Sequence, residues 1–276
     1  MPLIFGLMVL IVAVFARHGV DHGGVVSRAD GGTAGLLIWI LTPALLAWVF
    51  RRLDADVRTT QPFAFQRASL RLAVGVMILA ALAVWMVIKL GLAMGGLVMD
   101  PVTAPPPFAR RMLDLASVAV FALLEESAWR GYLMPALLAR FRYTVVLGVG
   151  AVIWFAWHLP YLDVLSASYT VESTTTLAPR LFLGVLAMQL VYIELFLKSR
   201  SVWPAFALHT TLNIVAQINL SSGLTLNRTH TWAFSPSADG LPIMALCTVV
   251  GLAMYSVRMS RERRREKPAQ GKRHAG

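Results

Sequence analysis

The chain has 276 residues, 57% of them hydrophobic and only 14% charged, with a mean hydropathy of +0.66. That composition excludes an ordinary soluble domain and points to a chain that crosses a membrane several times. The net charge of +11 is uneven: eight of the 25 lysines and arginines lie between Arg258 and Arg273, a pattern of anchoring beside anionic lipid rather than of nucleic-acid binding.

Taken in order, the first apolar run is Pro2 to Ala16. It lacks the basic start and the small-residue cleavage site of a secretory signal, so it reads as a retained span. It is shorter than the ~20 residues a span requires, as a start placed too late would produce. Arg17 to Thr33 reads as a polar loop holding five glycines, His18 and His22. Ala34 to Phe50 is the second run, ended by Arg51 and Arg52, and Leu72 to Leu92 is the third. The connector between them is charged and carries Arg58 and Arg67. Lys89 is expected to snorkel to the interface. Pro105 to Pro107 interrupt the next connector and favour extended chain.

Met112 to Ala139 is the fourth run, with Pro135 as its expected kink. Val145 to about Tyr161 is the fifth. Leu162 to Pro179 reads as a Ser/Thr-rich loop and Arg180 to Leu197 as the sixth run, with Glu194 and Lys198 spaced to pair. Trp203 to Leu220 is the seventh run. Asn227-Arg228-Thr229, in the loop that follows, matches a glycosylation acceptor, a pattern common by chance. Leu241 to Val257 is the eighth. The expectation is therefore an all-α, polytopic membrane bundle of about eight transmembrane helices enclosing an intramembrane active-site cavity. Residues 1–257 form its single domain, and 258–276 are a basic, disordered tail. Lysines and arginines concentrate in the even connectors and the tail, which places both termini in the cytoplasm. The tail does not end in a C-a-a-X motif, so the protein is not itself marked for prenylation. One cysteine, Cys247, allows neither a disulfide framework within the chain nor a cysteine-based metal site.

The fourth run holds Glu125, Glu126 and Arg130. Each ionisable group at membrane depth costs about 2.5–3.5 kcal/mol on insertion scales, so three of them need partners. Glu126 and Arg130 are four apart and share a helix face, where they can pair. Glu125 is rotated about 100° away and needs a partner from another helix. A structural ion-pair network and a functional site both answer to that description.

The histidines extend the pattern. There are six, of which His158 and His209 fall within spans and His18, His22, His230 and His274 in loops or the tail. Trp154 precedes His158 by one helical turn, Trp129 follows Glu125 by one, and Asn213 follows His209 by one. Around one cavity, Glu125 would serve as a general base walled by tryptophan. His158 would help to hold and polarise a water, and His209 and Asn213 would donate hydrogen bonds to a developing oxyanion. That set suits the addition of water to a carbonyl. It could alternatively hold a divalent metal such as zinc, with Glu125, His158 and His209 as ligands. The H-E-x-x-H sequence of helix-borne zinc sites is absent, and spacing alone does not choose between the two.

These residues resemble the motifs of the CPBP family of intramembrane proteases, which includes the type II CAAX prenyl endopeptidases and bacteriocin-immunity relatives. The family's E-E-x-x-x-R is matched by Glu125, Glu126 and Arg130. Its F-x-x-x-H is matched by His158, with Trp154 in place of phenylalanine. Its H-x-x-x-N/D is matched by His209 and Asn213, approached through Ser201-Val202-Trp203-Pro204-Ala205. The resemblance covers about residues 113–220. It implies an eight-span hydrolase that cuts a peptide bond at membrane depth, with Glu125 activating water near His158. His209 and Asn213 would stabilise the oxyanion, and Glu126 and Arg130 would orient the first motif.

The implied partners are the bilayer and a membrane-associated peptide or protein substrate, with no nucleic acid. Richness in Ala, Arg, Leu and Val suggests a bacterial chain, hence an inner (cytoplasmic) membrane, where a prenylated substrate is a poor fit. The competing readings are a non-catalytic membrane protein of the same fold, such as an immunity or binding protein, and a proton-coupled transporter. No inverted repeat is recognisable to support the latter.

Overall fold

In a bilayer every backbone N–H and C=O must be satisfied within its own segment, so long apolar runs become helices. The computed structural model describes residues 1–22, 33–60, 70–99, 108–166, 172–221, 224–226 and 234–271. Helix α1 (Pro2–Phe15) continues through a π-helical turn, Ala16–Val20. Then come α2 (Ala34–Leu53), the short α3 (Ala55–Thr60) and α4 (Leu70–Ala93). Helix α5 (Phe108–Ala128) runs through a second π turn, Trp129–Leu133, into α6 (Met134–Leu138). Next are α7 (Tyr143–His158), α8 (Leu162–Ser166), α9 (Thr174–Ser199), α10 (Trp203–Ser221) and α11 (Leu241–Gly271). Strands β1 (Leu97–Met99) and β2 (Leu224–Leu226) pair antiparallel, with Val98 opposite Thr225, and join the far ends of α4 and α10.

The chain is a helical membrane bundle. Among the described residues, six helices rather than eight are long and apolar enough to cross a membrane: Pro2–Val20, Ala34–Leu53, Leu70–Ala93, Tyr143–Ser166, Thr174–Ser199 and Leu241–Arg265. The α5–α6 segment and α10 carry the motif residues. Helix α1 packs on α2 and α7, α2 on α5, α5 on α10, α10 on α9, and α9 on α7, closing a ring. Helix α4 lies outside against α10, and α11 lies outside against α9. Every residue of α9 from Ala187 to Phe196 is buried, as befits a helix surrounded by others. Its opposite wall comes close to α11's approach: a Cβ on Gly184 would overlap the Ala238 carbonyl.

Several boundaries differ from expectation for identifiable reasons. Arg17 and His18 lie in the π turn ending α1, not in a loop, because Arg17 is buried against Asp163 at 2.6 Å. The expected loop 162–179 is helical at both ends, since Ser173 caps α9 six residues before Pro179 by accepting the Thr176 N–H at 3.3 Å. Glu194 pairs not with Lys198 but with Arg258 of α11, whose Nε and Nη2 reach its two carboxylate oxygens at 2.9 and 3.0 Å. A planar guanidinium matches a carboxylate in a way an ammonium does not. The basic segment from Arg258, expected as disordered, continues α11 to Gly271. Pro105 to Pro107, Arg67, Asn227 to Thr229, His230 and His274 lie outside the described residues.

Pro135 disturbs its helix one turn upstream. It has no N–H to give the Gly131 carbonyl, and the helix widens there into the π turn. Arg51, at the end of α2, donates to that carbonyl at 2.9 Å. Nearby, Asp54 accepts from Arg140 at 2.7 Å and from Tyr132 at 3.1 Å, and Arg140 also reaches the Ala136 carbonyl at 3.0 Å. Burial pushes the Asp54 carboxyl up, but the hydrogen bonds and charge of Arg140, with the Tyr132 hydroxyl, outweigh it and hold the group below its ordinary value.

Candidate active site

Glu125 and Glu126 lie in the last turn of α5 and are almost wholly enclosed, at 1% and 0% exposure. Neighbours on a helix point about 100° apart, and the two carboxylates accordingly meet different partners. Glu125 Oε2 accepts two indole N–H groups, from Trp154 of α7 at 2.8 Å and from Trp129 of the π turn at 3.1 Å. Its other oxygen, Oε1, faces His209 Nε2 of α10 at 3.7 Å, beyond hydrogen-bond reach. Glu126 Oε1 accepts from Arg130 Nη1 and from His209 Nδ1, each at 2.9 Å. His209 thus stands between the two carboxylates.

Arg130 is fully buried and held on four sides. Besides Glu126, it donates to Gln189 Oε1 of α9 at 3.1 Å. Its guanidinium lies over the rings of Tyr192, at 3.8 Å, and Trp154, at 4.5 Å. Trp154 is therefore both a donor to Glu125 and a face for Arg130, which couples the two arms of the motif.

His158, the last residue of α7, donates Nδ1–H to the Trp154 carbonyl at 2.7 Å, which leaves Nε2 as an acceptor. It stacks edge-on to Trp157 at 4.9 Å. Trp157 in turn lies flat on Trp39 of α2 at 4.2 Å, and Trp39 donates to the Trp157 carbonyl at 2.8 Å. Among the described residues, no hydrogen bond or ion pair joins His158 to Glu125; the link runs through Trp154. Asn213 lies one turn past His209 on α10, partly buried, and no described hydrogen bond joins it to Glu125, His158 or His209.

The structure thus brings Glu125, Glu126, Arg130, Trp154 and His209 into direct contact. It hangs His158 from Trp154 and leaves Asn213 on the adjoining turn. Gln189 and Tyr192 were missing from the sequence reading. The signal for Gln189 was available: it is the sole amide in the apolar run of α9. A Cβ on Gly150 of α7 would overlap the Gln189 amide nitrogen, so the small residue there makes room for it.

The donor set does not present a ready metal site. Among the described residues no three His, Cys, Asp or Glu side chains converge as ligands. One oxygen of Glu125 is taken by two indoles and Nδ1 of His209 by Glu126.

Residues 109–215 match the family model described as type II CAAX prenyl endopeptidase Rce1-like. The motif-bearing segment is thus similar to that family. It spans α5 to α10 and so contains every residue of the buried set. The Rce1-like segment therefore brings with it the whole of α9, the helix that supplies Gln189 and Tyr192. No curated protein matches the chain.

Proposed function

We propose that the chain is a membrane-embedded endopeptidase in which Glu125 activates water. The observation that carries this reading is the unequal treatment of the Glu125 oxygens. Two indoles pin Oε2 and fix the plane of the carboxylate, while Oε1 is left to face His209 across 3.7 Å. A water at Oε1, held also by His158 Nε2, loses a proton to Glu125 as its oxygen bonds to the substrate carbonyl carbon. The carbonyl electron pair moves to oxygen. His209 and Asn213 donate to that oxyanion. Collapse breaks the C–N bond, and the leaving amine takes the proton from Glu125. Glu126 and Arg130 hold His209 and Trp154 in place. The likeness to a family of prenyl endopeptidases supports the reaction class.

The substrate in this reading is a membrane-associated peptide or protein. The basic connectors Arg51–Arg71, Arg140–Arg142 and Lys198–Arg200, with the basic end of α11, support a topology with both termini on the cytoplasmic face of an inner membrane.

The test is trapping. E125Q keeps the shape of the site and removes the base. Purified from its native membrane beside wild type, E125Q retains an intact partner that wild type releases as two fragments, read by mass spectrometry. The same intact partner with both proteins would reject the peptidase and favour a binding protein of the same fold.

A further inference from the structure

Two of the four side chains that hold the carboxylates leave the π turn Trp129–Leu133. Trp129 donates to Glu125 and Arg130 to Glu126, each from four residues downstream. Where the turn sits therefore bears on where both carboxylates point, beside Trp154 and His209 from the neighbouring helices. The Met134 N–H closes the turn on the Trp129 carbonyl, but Pro135 offers the Gly131 carbonyl no N–H, so that oxygen is open to a donor from another helix. What reaches it from outside is the end of α2. Arg51 donates into the turn at the Gly131 carbonyl at 2.9 Å, from a helix 80 residues away in sequence. Phe5 packs edge-on against Trp129 and Tyr132 from α1, at 6.3 and 5.1 Å, but an aromatic edge does not fix a backbone register.

We infer that Arg51 is a positioning residue for Glu125, acting through the Gly131 carbonyl and the Trp129 indole. This rests on the reading that Glu125 is the working carboxylate. It also places a determinant of the site outside residues 109–215, on a helix that carries none of the three motifs. The neighbouring Arg52 has no such part: its guanidinium lies 3.6 Å over the exposed Trp48 ring.

The indole N–H of Trp129 reports on this contact directly. In 15N-tryptophan-labelled protein in detergent, with the eight tryptophans assigned by Trp→Phe variants, R51M moves the Trp129 indole resonance. Trp154, which donates to the same oxygen from α7, moves less. R51K, which can still donate to Gly131, restores the wild-type position, and R52M moves neither. Should R51M not fold, R51Q is read in its place, since its amide sits on a stem too short to reach the carbonyl. An unmoved Trp129 in folded R51M or R51Q overturns the inference. So does a shift in R51K as large as in R51M, which would assign the effect to packing. No substrate enters this experiment, so its failure leaves the peptidase reading standing. On the substrate identified by trapping, R51M lowers kcat about 10- to 100-fold with KM held, the scale of a misplaced reacting group.

Discussion

Arg130 joins an acid, an amide and two rings, and its removal exposes what each contributes. R130A leaves Glu126 as a buried carboxylate with His209 as its remaining donor. The expected cost is about 3–5 kcal/mol, read as a fall in thermal midpoint in detergent together with loss of activity. A stable but inactive R130A would instead give Arg130 a direct part in the chemistry. Tyr192 behaves oppositely. Its ring supports the guanidinium but its hydroxyl has no hydrogen-bond partner among the described residues, so Y192F should change stability by less than about 0.5 kcal/mol. A larger loss would show that the hydroxyl is engaged. At this scale the sequence was legible where partners lie one turn apart. Glu126 and Arg130 pair as their spacing requires, and Trp129 reaches Glu125 by the same rule. The bonds from Trp154 to Glu125 and from Arg130 to Gln189 cross 29 and 59 residues, and no periodicity encodes them.

Among the elements, α7 and the α5–α6 segment carry opposite lessons about small and special residues. Gly148 and Gly150 lie two apart on α7, yet only Gly150 faces a neighbour; a Cβ on Gly148 would meet nothing within 4 Å. G148A should be neutral or stabilise by up to ~1 kcal/mol, the ordinary gain of alanine over glycine in a helix. G150A should displace the Gln189 amide from Arg130 and reduce activity. Equal effects of the two, measured as activity beside thermal midpoint, would separate Gln189 from the site. The apolar runs revealed the helices themselves because hydropathy is a local property. Their ends were less legible. A Ser173 cap and an Arg17–Asp163 pair depend on contacts or hydrogen bonds that composition does not register.

For the whole bundle, polar corners between helices set the response to acid. The Asp54 carboxyl is held below its ordinary value, so it contributes stability that is fully present above about pH 4 and is lost as pH falls through the lowered folded value. Wild type should lose thermal midpoint below about pH 4, and D54N should lose less over the same interval. Equal acid sensitivity would move the origin elsewhere. The Arg258–Glu194 pair gives a second test. R258A strands a buried carboxylate at the end of α9 and should cost about 2–3 kcal/mol, the scale of hydrogen bonds to a charged group. An unchanged midpoint would show that Glu194 finds other donors.

That pair also imposes an order on biogenesis. Glu194 and Arg258 are 64 residues apart, and the arginine lies on the last helix. At ~5–20 residues per second, a ribosome adds Arg258 about 3–13 s after Glu194. Throughout that interval α9 carries an acid whose final counter-ion does not yet exist. The helix that supplies Gln189 and Tyr192 to the centre therefore completes its ion pair only after α11 has been made.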